Sequence, residues 1–415
     1  MSKGSNKARK INKNPKTNHP GIIRKPESVE LGASCKAVVE LSENYRIDRV
    51  IGCLERIFDS LGGISSYVKP GMRVAIKPNL LMAKKPEDAA TTHPAVVRAL
   101  TLLLQKAGAS VIIVESPGGP YNPTMLKRVY AATGMEAAAT ETGAELNYDV
   151  RVGKKENTGA KIVKSVKVLK PLLDADLIIN LAKLKTHGLM VYTGAVKNMF
   201  GSIAGMEKAD FHMRFTNTDH FAECLIDIFL ATRPQINLID GIIAMEGEGP
   251  GSGVPKYLGV MIGSTDAFAA DYAALKLIDV DYRDVPVMKK AEERGLFSEE
   301  RVELAGVPIE TVMPDSFDVP SLERVKHSRG VRGKLLGFLG KQTKPKPEIR
   351  HEKCIACGKC IQVCPPHTIK MGQDKKVVID YSRCISCLCC HEFCPEKAIR
   401  IRKNILRSIL EYRRT

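Results

Sequence analysis

The cysteines of this chain constrain its fold more than any other feature. Of twelve, three are scattered (Cys35, Cys53 and Cys224) and nine fall between Cys354 and Cys394. Cys354, Cys357, Cys360 and Cys364 form a C-x2-C-x2-C-x3-C run closed by Pro365; Cys384, Cys387, Cys390 and Cys394, closed by Pro395, repeat it at a constant offset of 30 residues. Each half of this internal repeat therefore brings the same four-ligand set. The spacing has a chemical reason. Three thiolates two residues apart sit on one tight loop and can ligate three irons of one 4Fe–4S cubane, while the fourth iron needs a ligand from elsewhere. Structural zinc is the competing reading of a four-cysteine set, and two sets in matched register argue against it. A secreted disulfide scaffold would be short and carry a signal segment. This chain has 415 residues and a polar, basic start (MSKGSNKARKINKNPK), so a metal site in a reducing compartment is the better reading.

Residues 351–402 resemble the bacterial-type ferredoxins that hold two 4Fe–4S clusters. The resemblance implies a small α+β domain of two pseudo-symmetric βαβ-like halves and outer-sphere electron transfer. It also implies that the fourth cysteine of each run crosses to the other cluster. Cys354, Cys357, Cys360 and Cys394 would then hold one cluster, and Cys384, Cys387, Cys390 and Cys364 the second. Pro365 and Pro395, with their rigid φ, suit the turn after the crossing ligand. One position departs from the pattern: Cys389 stands where the first half has Lys359. The register makes Cys390 the ligand and leaves Cys389 spare, with a swap of the two still open.

The rest of the chain is long enough for a further domain. Between residues 29 and 322, β-type apolar runs (73–81, 110–118, 174–182, 236–245 and 258–263) alternate with helix-like stretches (94–108, 124–133 and 219–233). Val96, Leu100, Leu103 and Leu104 follow a helical period, and Gly108 is a stop signal. Several strands are continuously apolar, as strands buried on both faces of a parallel sheet are. This predicts an α/β layered domain, mostly parallel sheet with helices, followed by the small ferredoxin-like domain. The net charge of +17 is concentrated in residues 1–28 (+7), 323–353 (+7) and 396–415 (+5), which leaves the main body near neutral. We read residues 1–28 as a basic disordered tail, 323–350 as a basic linker, and 403–415 as a basic C-terminal helix. That helix would cap a neighbouring domain or, as the sharper reading, lie on a membrane surface. No apolar run reaches the ~18–20 residues of a membrane helix, and a cytoplasmic location is expected.

Polar residues gather at the ends of the apolar runs, where open α/β sheets place their ligands. Lys77 and Asn79 follow the first, with Thr92 and His93 further on; Glu115 follows the second. Lys183, Lys185 and His187 lie in or after the third, ahead of Lys197 and Asn198. Asp240 and Glu246 follow the fourth. Lys77, Asn79, Lys183, Lys185, Lys197 and Asn198 would orient an anionic substrate, and Glu115, His187 or Glu246 would carry protons. Solvated surface lysine is the bland alternative for each ammonium group. The glycine-rich EGEGPGSG segment (246–253) could be an anion-binding nest or a plain turn. The segments KPNLL, TTHPAVVRAL, NLAKLKTHGLMVYTGAVKNMFG and IDGIIAMEGEGPGSG, in this order, are similar to the family named domain of unknown function 362. That resemblance spans roughly residues 40–320 and implies the architecture more than a reaction, its members often carrying a ferredoxin module.

The expected function is electron transfer by two 4Fe–4S clusters to or from a site in the α/β domain, in a redox enzyme with a protein redox partner. A pure electron carrier, whose large domain docks partner proteins, is the alternative. A redox-sensing nucleic-acid binder comes last, because aromatics make up only 5% of the chain and Trp is absent.

Overall fold

The computed structural model describes residues 34–319 and 345–402. The tail, most of the linker and the C-terminal helix expected from sequence lie outside them. The described residues belong to one compact unit, built of a large α/β layer and the small cysteine-rich module.

The large part contains strands β1 (Cys35–Leu41), β2 (Arg73–Pro78), β3 (Ser110–Ile113), β4 (Glu145–Leu146), β5 (Val152–Glu156), β6 (Ser165–Leu169), β7 (Leu177–His187), β8 (Val191–Thr193), β9 (Ile236–Glu246), β10 (Val254–Ser264) and β11 (Val302–Gly306). Its helices are α1 (Ile47–Ser60), α2 (Pro94–Lys106), α3 (Pro123–Ala132), α4 (Met135–Thr142), α5 (Lys170–Leu173), α6 (Ala195–Asn198), α7 (Gly205–Arg214), α8 (Thr218–Thr232), α9 (Ala267–Leu277) and α10 (Pro286–Glu293). Nine strands form one sheet in the order β11-β1-β10-β9-β7-β2-β3-β4, with β8 paired to β7; β5 and β6 make a separate hairpin. The pairs β1/β11, β2/β3, β2/β7, β3/β4 and β7/β9 are parallel, whereas β1/β10, β9/β10 and β7/β8 are antiparallel. The sheet is therefore mixed but mostly parallel.

Alternation along the strands divides the core in two. Val74 and Ile76 of β2 join the apolar faces of α1 to α4 on one side, while Ala75 joins α5 to α10 on the other. Helix α2 starts as its sequence dictates. Pro94 occupies the first helical position, where its missing N–H costs nothing, and the His93 ring accepts the Ala95 N–H at 3.2 Å. Gly108 closes the helix at φ +87°, a conformation that favours glycine.

Strand order positions the site. From β2 the chain runs through α2 to β3 and then to β4; from β7 it runs through α6 to α8 to β9, on the opposite side. The carboxyl ends of the adjacent, parallel β2 and β7 thus mark a switch point, the usual ligand position in open α/β sheets. β7 is buried along all eleven residues and continues past the end of β2.

The small module pairs β12 (Lys346–Ile349) with β15 (Ile399–Arg402), and β13 (Ile369–Met371) with β14 (Val377–Ile379). β12 lies inside the stretch read as linker. Short helices α11 (Lys359–Gln362) and α12 (Cys389–Glu392) occupy equivalent places in the two halves. The backbone repeats at the sequence offset: φ is +54° at Ala356 and +57° at Ser386, +73° at Gly358 and +64° at Leu388, +51° at His367 and +49° at Lys397. The glycine-rich segment joins β9 to β10 and is the seat of this module, not an anion nest. The Lys397 ammonium donates to the Gly253 carbonyl at 2.8 Å, and a His391 ring nitrogen lies 3.2 Å from the Glu248 carbonyl. A Cβ on Gly249 would fall 2.2 Å from the Thr186 carbonyl, and one on Gly251 2.7 Å from that of Glu392. Close backbone approach, rather than flexibility, accounts for glycine at both positions.

Candidate functional site

Three of the lysines expected to orient an anionic substrate are interior, against the surface alternative. Lys77, Lys183 and Lys185 are each 0–1% exposed. On β2, the Lys77 ammonium donates to Glu115 Oε2 (2.9 Å), the Pro78 carbonyl (2.9 Å) and Asn198 Oδ1 (3.3 Å). Glu115 also accepts the Leu80 and Ser116 N–H groups. Asn79 links the array: its amide donates to Asn198 Oδ1 at 2.9 Å, and its oxygen accepts from Lys185 at 2.8 Å. Asn198 donates to Asn180 Oδ1 at 2.7 Å. Three amides therefore lock the ends of β2 and β7 to α6.

A second buried pair lies one strand further on. Lys183 donates to Asp240 Oδ2 (2.9 Å) and to the Tyr45 hydroxyl (3.0 Å), which itself donates to Asp240 Oδ1 (2.9 Å). The Tyr45 ring stacks on His93 with centroids 3.6 Å apart. Burial pushes the Lys183 and Lys77 ammonium groups down from the usual lysine range despite their carboxylate partners.

Between these strand ends and the cysteine module lies a cavity of about 160 Å³. Lys185, Lys197, Asn79, Asn198 and Glu115 line it from the large part; Cys364, His367, Cys389, Glu392 and Phe393 line it from the module. The switch point thus opens directly onto a cysteine of the repeat. Lys77 and Lys183 stand behind this wall. His187 is also set back: its Nδ1 accepts the Leu189 and Met190 N–H groups at 3.1 and 3.2 Å, and its Nε2 lies 3.2 Å from Glu392 Oε1. Two accepted N–H groups hold Nδ1 unprotonated, and burial with nearby cations keeps the imidazole neutral. Glu246, expected to carry protons, does not reach the cavity; it accepts the Asp318 N–H at 3.0 Å at the far end of β9.

Sequence reading missed three lining residues. The Lys208 ammonium, on α7, donates to the Ser116 carbonyl and to that of Pro117 (3.4 Å), and burial pushes it down to about 7. Thr193 is 3% exposed and its hydroxyl makes no hydrogen bond among the described residues. Glu392 Oε1 is buried, and its approach to His187 lacks hydrogen-bond alignment. One sequence signal was available: Glu392 occupies the place of Gln362 in the repeat. His212 lines the cavity as a neutral ring, held down to about 3 by burial and Lys197. Cys224 is core, as its apolar helix suggests.

Cys354, Cys357, Cys360 and Cys394 line one small cavity. Cys390 is acted on by the thiols of Cys387, Cys384, Cys364 and Cys360. Among the described residues, no three His, Cys, Asp or Glu side chains converge tightly enough for a single metal ion; the four thiols of the first set surround a space instead. Backbone N–H groups aim at both crossing sulfurs: Thr368 to Cys364 at 3.3 Å and Ala398 to Cys394 at 3.1 Å. Such donors stabilise negative charge on a cluster thiolate. This donor set fits 4Fe–4S ligation. Cys390 packs inside the module with Cys360, Cys364 and Cys394, whereas Cys389 faces the interdomain cavity.

An α/β layer whose strand ends meet a 4Fe–4S module defines a two-part iron–sulfur electron-transfer protein. Residues 346–404 match the family described as 4Fe-4S dicluster domain, and residues 74–276 match Domain of unknown function (DUF362). The chain belongs to the DUF362 family. It is 32% identical over 264 residues to "Thylakoid-associated protein sll1697" of Synechocystis sp. (strain ATCC 27184 / PCC 6803 / Kazusa), covering 61% of this chain and 78% of that protein. Among solved structures, the lactate racemase apoprotein from Thermoanaerobacterium thermosaccharolyticum matches with a TM-score of 0.38 at 13% identity, over 60% of this chain and 57% of that one. Among the described residues, no helix is long and apolar enough to cross a membrane.

Proposed function

We propose that the two thiol sets hold two 4Fe–4S clusters and that the chain is an oxidoreductase passing electrons between a partner protein and an anionic substrate in the interdomain cavity. In this reading Cys354, Cys357, Cys360 and Cys394 ligate the outward cluster, and Cys384, Cys387, Cys390 and Cys364 the inward one. The observation that carries it is the shared wall: a cysteine of the inward set and the strand-end lysines line one cavity. Single-electron transfer is the chemistry the clusters supply. The chain's own residues bind and orient. Lys185 and Lys197 attract the anion, Asn79 and Asn198 hold the lysine array in place, and Lys77 and Lys183 support it from behind. Glu115 and Glu392 are the carboxyl groups at the wall able to exchange protons, with His187 backing Glu392. Exposure of Cys357, and of Ile355 at 63%, supports partner docking at the outward set. The free thiols suit a reducing compartment such as the cytoplasm.

Anaerobic preparation should give a coloured protein with matched iron and sulfide. Its clusters should be reduced by dithionite and reoxidised by substrate, and Cys387→Ala should abolish that reoxidation. A colourless, zinc-loaded protein would remove the proposal. The same outward exposure keeps one second reading, a carrier without substrate, for which partner reduction would be indifferent to Lys197→Met.

A further inference from the structure

Three ammonium groups line the interdomain cavity, and none is ion-paired among the described residues. Lys185 donates to Asn79 Oδ1 and the Ala90 carbonyl. Lys208 donates to Ser116 and Pro117. Lys197 makes no hydrogen bond or ion pair with any described residue and is partly exposed into the space. Neutral oxygens satisfy hydrogen bonding but not charge, and an uncompensated buried charge costs several kcal/mol. The carboxylates do not balance the account. Glu115 is already matched by Lys77, which leaves Glu392 alone beside three lysines; burial lowers all three ammonium groups from the usual lysine range, Lys208 to about 7, and an arriving anion would favour their charged forms.

We infer that the cavity binds a small organic anion carrying at least two negative charges, gripped by Lys185, Lys197 and Lys208. This deepens the functional reading above and rests on it for the location of the site. Two independent features point the same way. The Thr193 hydroxyl, on a residue of the same wall, is buried with no hydrogen-bond partner among the described residues, a donor left without an acceptor. The cations that line the cavity among the described residues are lysines, point charges that suit a phosphate monoester or a dicarboxylate and do not demand bidentate geometry. Cys364 lines the same cavity as the three lysines.

The inward cluster also carries negative charge, so the lysines could serve that alone. Anaerobic calorimetry on the intact holoprotein separates the two, with succinate, inorganic phosphate and acetate as probes at pH 7.5. At least one dianion should bind tenfold or more tightly than acetate. Lys197→Met and Lys208→Met should each weaken that dianion at least tenfold, about 1.4 kcal/mol, and Thr193→Val should weaken it less. A preference for phosphate assigns a phosphorylated substrate, and one for succinate a dicarboxylate. Equal binding of acetate and both dianions would overturn the inference. So would lysine variants that shift only the potential of the inward cluster. Dithionite reduction in the same samples reports the clusters separately. A dianion that binds without altering their reoxidation supports the site and removes its redox role; failure of all binding with reducible clusters removes the inference alone.

Discussion

The two halves of the cysteine module share one backbone and differ in how far their ligand loops are covered. In the first half Cys357 is exposed and Ile355 is 63% exposed; their counterparts Cys387 and Ile385 are partly covered. Lys359, Gln362 and Val363 of the first half become Cys389, Glu392 and Phe393 in the second. Those three line the interdomain cavity, as do Gln362 and Val363 but not Lys359, and the Phe393 ring packs so tightly on Gly118 that a Cβ there would lie 1.8 Å from it. Duplication thus conserves the ligands, while a few substitutions turn one half inward. In the proposed function this asymmetry would give electron flow a direction, from the more exposed set toward the lysines.

The comparison breaks most sharply at the thiols. Cys390→Ala should lose about half of the bound iron, whereas Cys389→Ala should keep all of it, read by iron and sulfide counts. Equal loss in both would mean that the two thiols exchange roles. Next in size is the seat of the inward half. Gly249→Ala drives a methyl group into the Thr186 carbonyl and should destabilise the docked module by about 1–3 kcal/mol, seen as protease sensitivity of the module ahead of the large part. No comparable glycine contact is expected to matter for the outward half.

A smaller effect is pH dependence on the inward side. The free Lys208 ammonium is pushed down to about 7 by burial, and a bound anion would raise it again. Binding above about pH 7 must therefore take up a proton. Affinity should be level below pH 7 and fall by up to tenfold per unit above it, with proton uptake read from calorimetry in two buffers. A flat profile would place Lys208 away from the ligand. The smallest effect tests Gly358 against Leu388. A leucine at φ +64° costs about 1–2 kcal/mol, but Leu388 is buried, which stabilises by about 1.5–3 kcal/mol. Leu388→Gly should therefore lower stability by about 1 kcal/mol in thermal unfolding, and a gain would show that strain outweighs burial.

Much of this was legible in the chain. Thiols within ten residues of each other on one loop need no tertiary information to be recognised as a ligand run. The apolar runs leading into Lys77, Glu115, Lys183 and Asp240 mark strand ends because a doubly covered strand must be continuously apolar. Lys208 was not legible, since its helix looks like any amphipathic surface segment until it packs over Ser116. Glu246 was misjudged because its distance from the cavity depends on where β9 ends relative to β7. The same limit applied to the glycine-rich segment, whose purpose is defined by the module seated on it.

Covalent order and short-range geometry were enough to specify the paired ligand loops, the strand and helix pattern and the polar ends of the strands. Which of those ends meet, and that Lys197, Lys208, Thr193, Cys364 and Glu392 surround one space, followed from strand order and from the β9–β10 seat. The physical reason is range. Ligand spacing and φ are set within a few residues, whereas desolvation and charge balance depend on groups that come together only when chain segments up to 300 residues apart pack against one another.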